Sequence, residues 1–439
     1  MNTVSGQYLA RYDSEPEATR LKFVREVMDQ DPLNFFKELR ENRPILVMPE
    51  CVLVSMYDDV IEVLNMPKIF TVALYGPKMA DDYLMSRDDD ALHYREKSIM
   101  QGMLNRDDLP RVRDMVTATC KSILKNASGK LDIVPDYCRM VPATLVQDYF
   151  GLIGVDKKEL IEWSYWAQVD TFYNQPFDIV SADEYKYILE NHKLSGEKLG
   201  KYIAALIAGR SLSLKFQSPF ATLRNVANVL LKKFAPRYYK ASDDILARML
   251  RSKFPLEADF DLKRVAVNAG GLLIGTIETT AQAVVQAIQF LMEQPDLLNR
   301  SRQAALQKDP VEIDAIVWEA LRFVPISPYM FRQAACNCTI AKGTSRETLI
   351  KAGTNVLALT QSAMFDHKAF DDPDAFRAGR NWYNYFTFGY GSHECLGKYV
   401  GMVMIPEMVR QILVLPGLAA QREIQYDGHM PRSYELTWI

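Results

Sequence analysis

One cysteine in this chain sits where its sulfur has chemistry to do. Cys395 lies in the run Tyr385-Phe386-Thr387-Phe388-Gly389-Tyr390-Gly391-Ser392-His393-Glu394-Cys395-Leu396-Gly397, a loop punctuated by glycines. His393 stands two positions before it and Gly397 two after, and an apolar run with helical spacing, Tyr399 to Leu413, follows. At a helix N-terminus, free backbone N–H groups and the helix dipole favour a thiolate. Loop glycines let the backbone wrap a flat ligand and aim N–H groups at the sulfur. Such a thiolate suits a soft or borderline metal. His393 is placed to offer a donor to an anionic edge of the same ligand. The competing reading is an inert cysteine buried in a loop. The other five cysteines form no CxxC pair, and Cys336 and Cys338 have no nearby histidine to complete a zinc site.

Elements must hold that loop. Asp261 to Met292 reads as one helix of about 32 residues, near 48 Å long and enough to cross a domain. Its middle carries Gly270, Gly271 and Gly275, each costing about 1 kcal/mol in a helix interior. Something approaches this backbone closely, the helix is deformed there, or it packs tightly on another helix. His93 and Lys97 share a helix face at i,i+4, and Glu319 and Arg322 form an i,i+3 pair. Asp31-Pro32 with Leu33, Phe36 and Leu39 opens a helix; Ile45–Met48 and Cys51–Ser55 read as strands. Tyr57 then starts another helix with Asp58 or Asp59 as N-cap. From Glu96 to about Ala320 the periodicity is mostly helical, and Thr354–Leu359 is β-like. The class is mostly α with a minor β portion, and no linker or repeat divides residues 1–439.

The whole chain narrows the function. With 52 basic against 55 acidic residues the net charge is −3, which speaks against a nucleic-acid binder. Scattered cysteines, a polar start (Arg11, Asp13, Glu15, Glu17) and no apolar run of spanning length lead us to expect a cytoplasmic protein without signal peptide or membrane span. One stretch departs from the average. Lys201 to Ala241 holds eight Lys or Arg residues and no acid, interleaved with Phe216, Phe220, Phe234, Tyr238 and Tyr239. It reads as a solvated helix face or as a basic-aromatic surface for a membrane, an acidic partner or an anionic substrate.

The motif Phe388-x-x-Gly391-x-His393-x-Cys395-x-Gly397 resembles the heme-binding signature of the cytochrome P450 monooxygenases; by residue usage alone its chance occurrence is roughly one in ten thousand. Three further motifs follow that family's order. Glu319-x-x-Arg322 resembles the K-helix pair that supports the cysteine loop. Gly275-Thr276-Ile277-Glu278-Thr279-Thr280 resembles the oxygen-groove motif of the long I helix. His93-x-x-x-Lys97 resembles the C-helix pair that reaches a heme propionate. Arg332 sits where the family has another propionate-binding arginine, and His393 completes the set. The likeness covers about residues 30 to 415 and implies the P450 fold, a single heme domain with the heme between the I and L helices.

The likeness also implies a heme b cofactor with Cys395 as axial ligand to iron. Thr279 and Glu278 become the alcohol and acid of a proton route. The reaction becomes insertion of one oxygen atom from dioxygen into a C–H bond, heteroatom or double bond of a largely hydrophobic small molecule, a carrier-bound one included. Alternatives are a peroxygenase, a P450-fold reductase or ring-coupling oxidase, and a non-enzymatic heme-binding protein. Glu278-Thr279 disfavours the peroxygenase, whose relatives carry Arg-Pro there. About 42 residues follow Gly397 without a flavin or ferredoxin domain. Electrons from NAD(P)H are therefore expected through a separate ferredoxin and reductase, meeting a monomer at a basic face with Arg106, Arg111, Arg113 and Lys398 as candidates. The departures are Thr276 for a small Gly, Lys97 for Arg, and an apparent insertion, Arg210–Ala241, before the H helix that Ser242-Asp243-Asp244 opens.

Overall fold

The computed structural model describes residues 6–79, 83–88, 90–217, 243–252, 254 and 258–439. Helices α1 (Gln7–Ser14), α2 (Glu17–Gln30) and α3 (Pro32–Asn42) lead into strands β1 (Ile45–Val47) and β2 (Val52–Val54). Helix α4 (Tyr57–Asn65) follows, but its N-cap is Met56. Asp58 and Asp59 fall in the first turn instead, where carboxylates still meet the helix dipole. There they pair with Lys368 and Arg346. Strand β3 (Phe70–Thr71) completes the first sheet segment, and β4 (Lys130–Asp132) comes later in the chain.

The helical body comprises α5 (Ala91–Met103), α6 (Leu109–Asn126), α7 (Met140–Leu145), α8 (Lys157–Tyr173), α9 (Ala182–Gln217) and α10 (Ile245–Arg251). Asp244 caps α10 by accepting the Ala247 N–H, as the Ser242-Asp243-Asp244 start suggests. The stretch expected as one helix over 261–292 is two: α11 (Leu262–Ile274) and α12 (Ile277–Met292), parted at Gly275 and Thr276. Among the described residues the longest unbroken helix is α9. Lys201 and Arg210 lie on α9, while residues 218–242 of the basic-aromatic stretch lie outside the described residues.

Helices α13 (Pro295–Leu306) and α14 (Val311–Phe323) precede β5 (Met330–Ala334), the hairpin β6 (Cys338–Ile340) with β7 (Thr348–Ile350), and β8 (Asn355–Ala358). The main sheet runs β1-β2-β8-β5-β3, with only β2 and β8 parallel. After the short α15 (Thr360–Ala363) comes α16 (Lys398–Leu413), which packs on α6, α12 and α14. Val116, Val284, Ile288, Ile316, Met408 and Val409 form the centre of that core. Burial of apolar surface at roughly 25 cal/mol per Å² holds these four helices together. The C-terminal strands are β9 (Ala419–Ala420), β10 (Gln425–Asp427), β11 (Met430–Ser433) and β12 (Glu435–Thr437). Among the described residues no helix is long and apolar enough to cross a membrane.

Candidate active site

Cys395 sits at the end of a tight loop that enters α16, with Gly397 as the helix N-cap. Its N–H donates to the Phe388 carbonyl (2.8 Å), closing the loop on itself. Gly389 and Gly391 have φ of 77° and 73°, the left-handed region that favours glycine. A Cβ on Gly391 would come within 3.0 Å of the Leu64 carbonyl oxygen, so the loop also needs glycine for closeness. The Phe388 ring lies over Gly401 and packs on Trp318 (5.3 Å between centroids), which pins the loop to α16 and α14. Burial raises the Cys395 thiol pKa; the Gly397 N–H and the charge of Lys97 act against it.

Three sequence-chosen residues converge on this loop. His93 is fully buried, its Nδ1 2.6 Å from the Leu84 carbonyl and its Nε2 3.2 Å from the Ser392 carbonyl. Lys97 donates to the carbonyls of Ser392 and Glu394 (2.7 Å to the latter). The His393 ring lies 4.6 Å from that of His93. Asp90 caps α5 by accepting the His93 N–H (2.8 Å), and a buried Glu96–Arg264 ion pair ties α5 to α11. Arg332 stands apart on β5, buried, its Nη1 on the Phe331 carbonyl. It shares a strand face with Met330, whose thioether meets Gly389 of the loop. Three basic side chains thus gather at one loop, with Arg332 apart on β5, a set whose charge suits a ligand bearing carboxylates.

Glu319 and Arg322 form a fully buried ion pair at 2.8 Å. Glu319 also takes Arg380 (3.1 Å), the Tyr385 hydroxyl (2.5 Å) and the Arg377 N–H (2.9 Å). Arg322 donates to the carbonyls of Met364 and Ala375. Burial alone would raise the Glu319 carboxyl, but these donors outweigh it and hold it below its usual range. The pair therefore anchors the segment Ala375–Tyr385 that runs into the cysteine loop. Arg377 and Tyr385 were not foreseen as its partners, because their spacing from Glu319 follows no helical or strand period.

Above the loop, Gly271, Gly275 and Thr279 lie at i, i+4 and i+8, with a helix break between. Ile277, Glu278 and Ala281 are fully buried, whereas Gly275 and Thr279 keep accessible surface, as does Cys395. The opened face of the broken helix therefore keeps accessible backbone and hydroxyl surface. The Thr279 hydroxyl donates to the Gly275 carbonyl (2.8 Å). Glu278 is held on the other side by Arg139, Nε to Oε1 at 2.8 Å and Nη2 to Oε2 at 2.9 Å. Arg139 also reaches the Pro431 carbonyl (3.0 Å). Burial raises the Glu278 carboxyl even against this arginine. Nothing in the sequence pointed to Arg139, which is 139 positions away.

Other sequence expectations fare differently. The four residues expected to form a basic docking face all have partners. Arg113 is built into a network with Asp314 (2.5 Å) and Glu407 (3.1 Å) that joins α6, α14 and α16. Arg106 binds Tyr399, Arg111 the Asp243 carbonyl, and Lys398 Glu394. Arg113 thus ties three helices together through paired charges.

Comparison with known proteins agrees with this geometry. The family model described as Cytochrome P450 matches residues 45–414. A steroid C26-monooxygenase of Mycolicibacterium smegmatis is 22% identical over 82% of this chain and 79% of its own. Erythromycin C-12 hydroxylase of Saccharopolyspora erythraea is 27% identical over 66% of this chain and 60% of its own. Among solved structures, CYP109E1 from Bacillus megaterium, in complex with testosterone, superposes with a TM-score of 0.70 at 18% identity, covering 93% of this chain and 99% of that one.

Proposed function

The chain belongs to the cytochrome P450 family and is a P450 monooxygenase; on that premise we propose that it inserts one atom of dioxygen into a largely hydrophobic small molecule. The observation that carries the reading is Cys395 in its closed loop at the start of α16, with His93 and Lys97 bonded to that loop. The residues present fit the heme that the family implies. There is a cysteine with a backbone N–H at its sulfur, a set of basic donors at the loop, and a helix face of glycine and threonine that keeps accessible surface.

In this reading the Cys395 sulfur would bind the heme iron. Phe388, Gly391 and Gly397 shape its loop, while His93, Lys97, Arg332 and His393 would hold the propionates. When bound, heme with a thiolate ligand activates dioxygen through O–O cleavage. The chain's own residues manage protons. With its hydrogen given to the Gly275 carbonyl, Thr279 keeps oxygen lone pairs directed to accept a hydrogen bond in the groove. Glu278, its carboxyl raised by burial, takes up a proton more readily than a surface acid and serves as the relay behind Thr279. That acid–alcohol pair supports dioxygen with separate electron donors, a ferredoxin and an NAD(P)H-dependent reductase, over peroxide. A cytoplasmic setting completes the proposal.

The test is the absorption spectrum of the dithionite-reduced, carbon monoxide-bound protein beside Cys395→Ala. A red-shifted Soret band in the parent that the variant lacks is the expected result. Absence of heme, or a band typical of histidine ligation, overturns the reading.

A further inference from the structure

At the break between α11 and α12 side-chain hydroxyls take carbonyls that the helix's own ladder leaves, while the ladder persists on either side, from the Gly275 N–H to the Gly271 carbonyl (3.0 Å) and from the Thr280 N–H to the Thr276 carbonyl (3.4 Å). At the break the Thr276 N–H turns to the Leu273 carbonyl (3.2 Å), an i−3 bond. The Leu272 carbonyl, which that amide would have satisfied in a regular helix, takes the Thr276 hydroxyl instead (2.6 Å). Two neighbours are treated alike. The Gly275 carbonyl accepts from Thr279 (2.8 Å), and the Ile274 carbonyl accepts from Ser164 on α8 (3.4 Å). Hydroxyl back-bonding to i−4 bends helices by offering a carbonyl an alternative partner. Thr276 stands where the resembled motif has a small glycine, which has no hydroxyl to offer.

We infer that Thr276 is a positioning residue: its hydroxyl replaces an amide at the Leu272 carbonyl, so the helix break stays open and Thr279 stays presented to the groove without help from water or substrate. The inference rests on the monooxygenase reading for its consequence and on the hydrogen bonds for its substance. A glycine at 276 leaves the Leu272 carbonyl to find water or to pull the helix back toward regular winding. Buried carbonyls do not stay unpaired. Thr276 acts only through Thr279 and the groove's shape.

The experiment compares Thr276→Val, Thr276→Ser and Thr276→Gly with the parent holoenzyme. Two readouts are used besides turnover: hydrogen exchange of the segment 270–282 by mass spectrometry, and the C–O stretch of the ferrous carbon monoxide complex, which senses the polarity of the groove. Valine keeps the shape and removes the hydroxyl; serine keeps the hydroxyl. Expected are an exchange rate in that segment altered about tenfold and a displaced or split C–O band in the valine and glycine variants, with serine close to the parent. Parent-like exchange and band in both valine and glycine overturn the inference, as does a serine variant that departs as far as valine. If valine does not fold, glycine against serine decides alone. Failure of the monooxygenase reading looks different, because the parent then lacks the thiolate spectrum altogether.

Discussion

A buried thiol normally stays protonated, and burial does push the Cys395 pKa up. What opposes it is local: the Gly397 N–H and the Lys97 charge. Those two contacts would steady a thiolate once a cation binds the sulfur. The cysteine and its loop were legible from residue types alone, because glycine, aromatic and basic positions in fixed spacing describe a backbone shape. The acid was half legible. Glu278 stands in its motif, yet its bidentate bond to Arg139 depends on a residue brought in from another part of the chain. At this scale the prediction concerns Thr279. Thr279→Ala removes the hydroxyl from the groove and is expected to lower the product formed per NAD(P)H consumed by several-fold. Ferrous carbon monoxide binding should stay intact. The measurement is oxygen uptake and product with a substrate found by spin-state screening; unchanged coupling removes Thr279 from the proton route.

Among elements, the α11–α12 break and the Glu319 cluster do the positioning. The glycines at 270, 271 and 275 signalled either close packing or deformation, and the structure contains both. A Cβ on Gly271 would collide with the Tyr83 ring, while Gly275 ends α11 at the break. The Glu319–Arg322 spacing showed a pair on one helix face but not its burial, nor Arg380 and Tyr385 as further partners. Removing one member of a buried charge pair costs about 3–5 kcal/mol, because the survivor is left uncompensated. Arg322→Ala is therefore expected to destabilise the protein by about that amount and to sharply reduce bound heme per chain. Thermal unfolding and the ratio of Soret to protein absorbance measure both; a stable, heme-replete variant contradicts the bracing role.

At the scale of the molecule, a second charged cluster joins distant segments. Asp170 on α8 accepts from Lys78, which precedes α5, from His192 on α9 and from Asn174, each at 2.7 Å. Burial acts to raise this carboxyl, but the bonds from His192, Lys78 and Asn174 outweigh it and bring the pKa down to about 2. A depressed carboxyl contributes stability that is fully present above its unfolded value of 3.8 and is lost as pH falls through about 2. Asp170→Asn is expected to melt below the parent at pH 6, with the gap closing toward pH 2. Melting curves across that range check it; a gap that does not depend on pH assigns the loss to packing instead.

The sequence by itself determined the class of fold, the cysteine loop, the order of the motifs and most strands and helices of the first 60 residues. Each of these is written in short-range periodicity or in residues whose types dictate backbone shape. Only the tertiary structure decided that α11 and α12 are separate helices, that Arg139 holds Glu278, that Arg113 joins α6, α14 and α16, and that Asp170 ties Lys78 to α9. Those outcomes rest on charges and hydroxyls meeting across long chain separations. Pairing energies of that kind depend on burial and on distances of a few ångströms, which residue spacing along the chain does not encode.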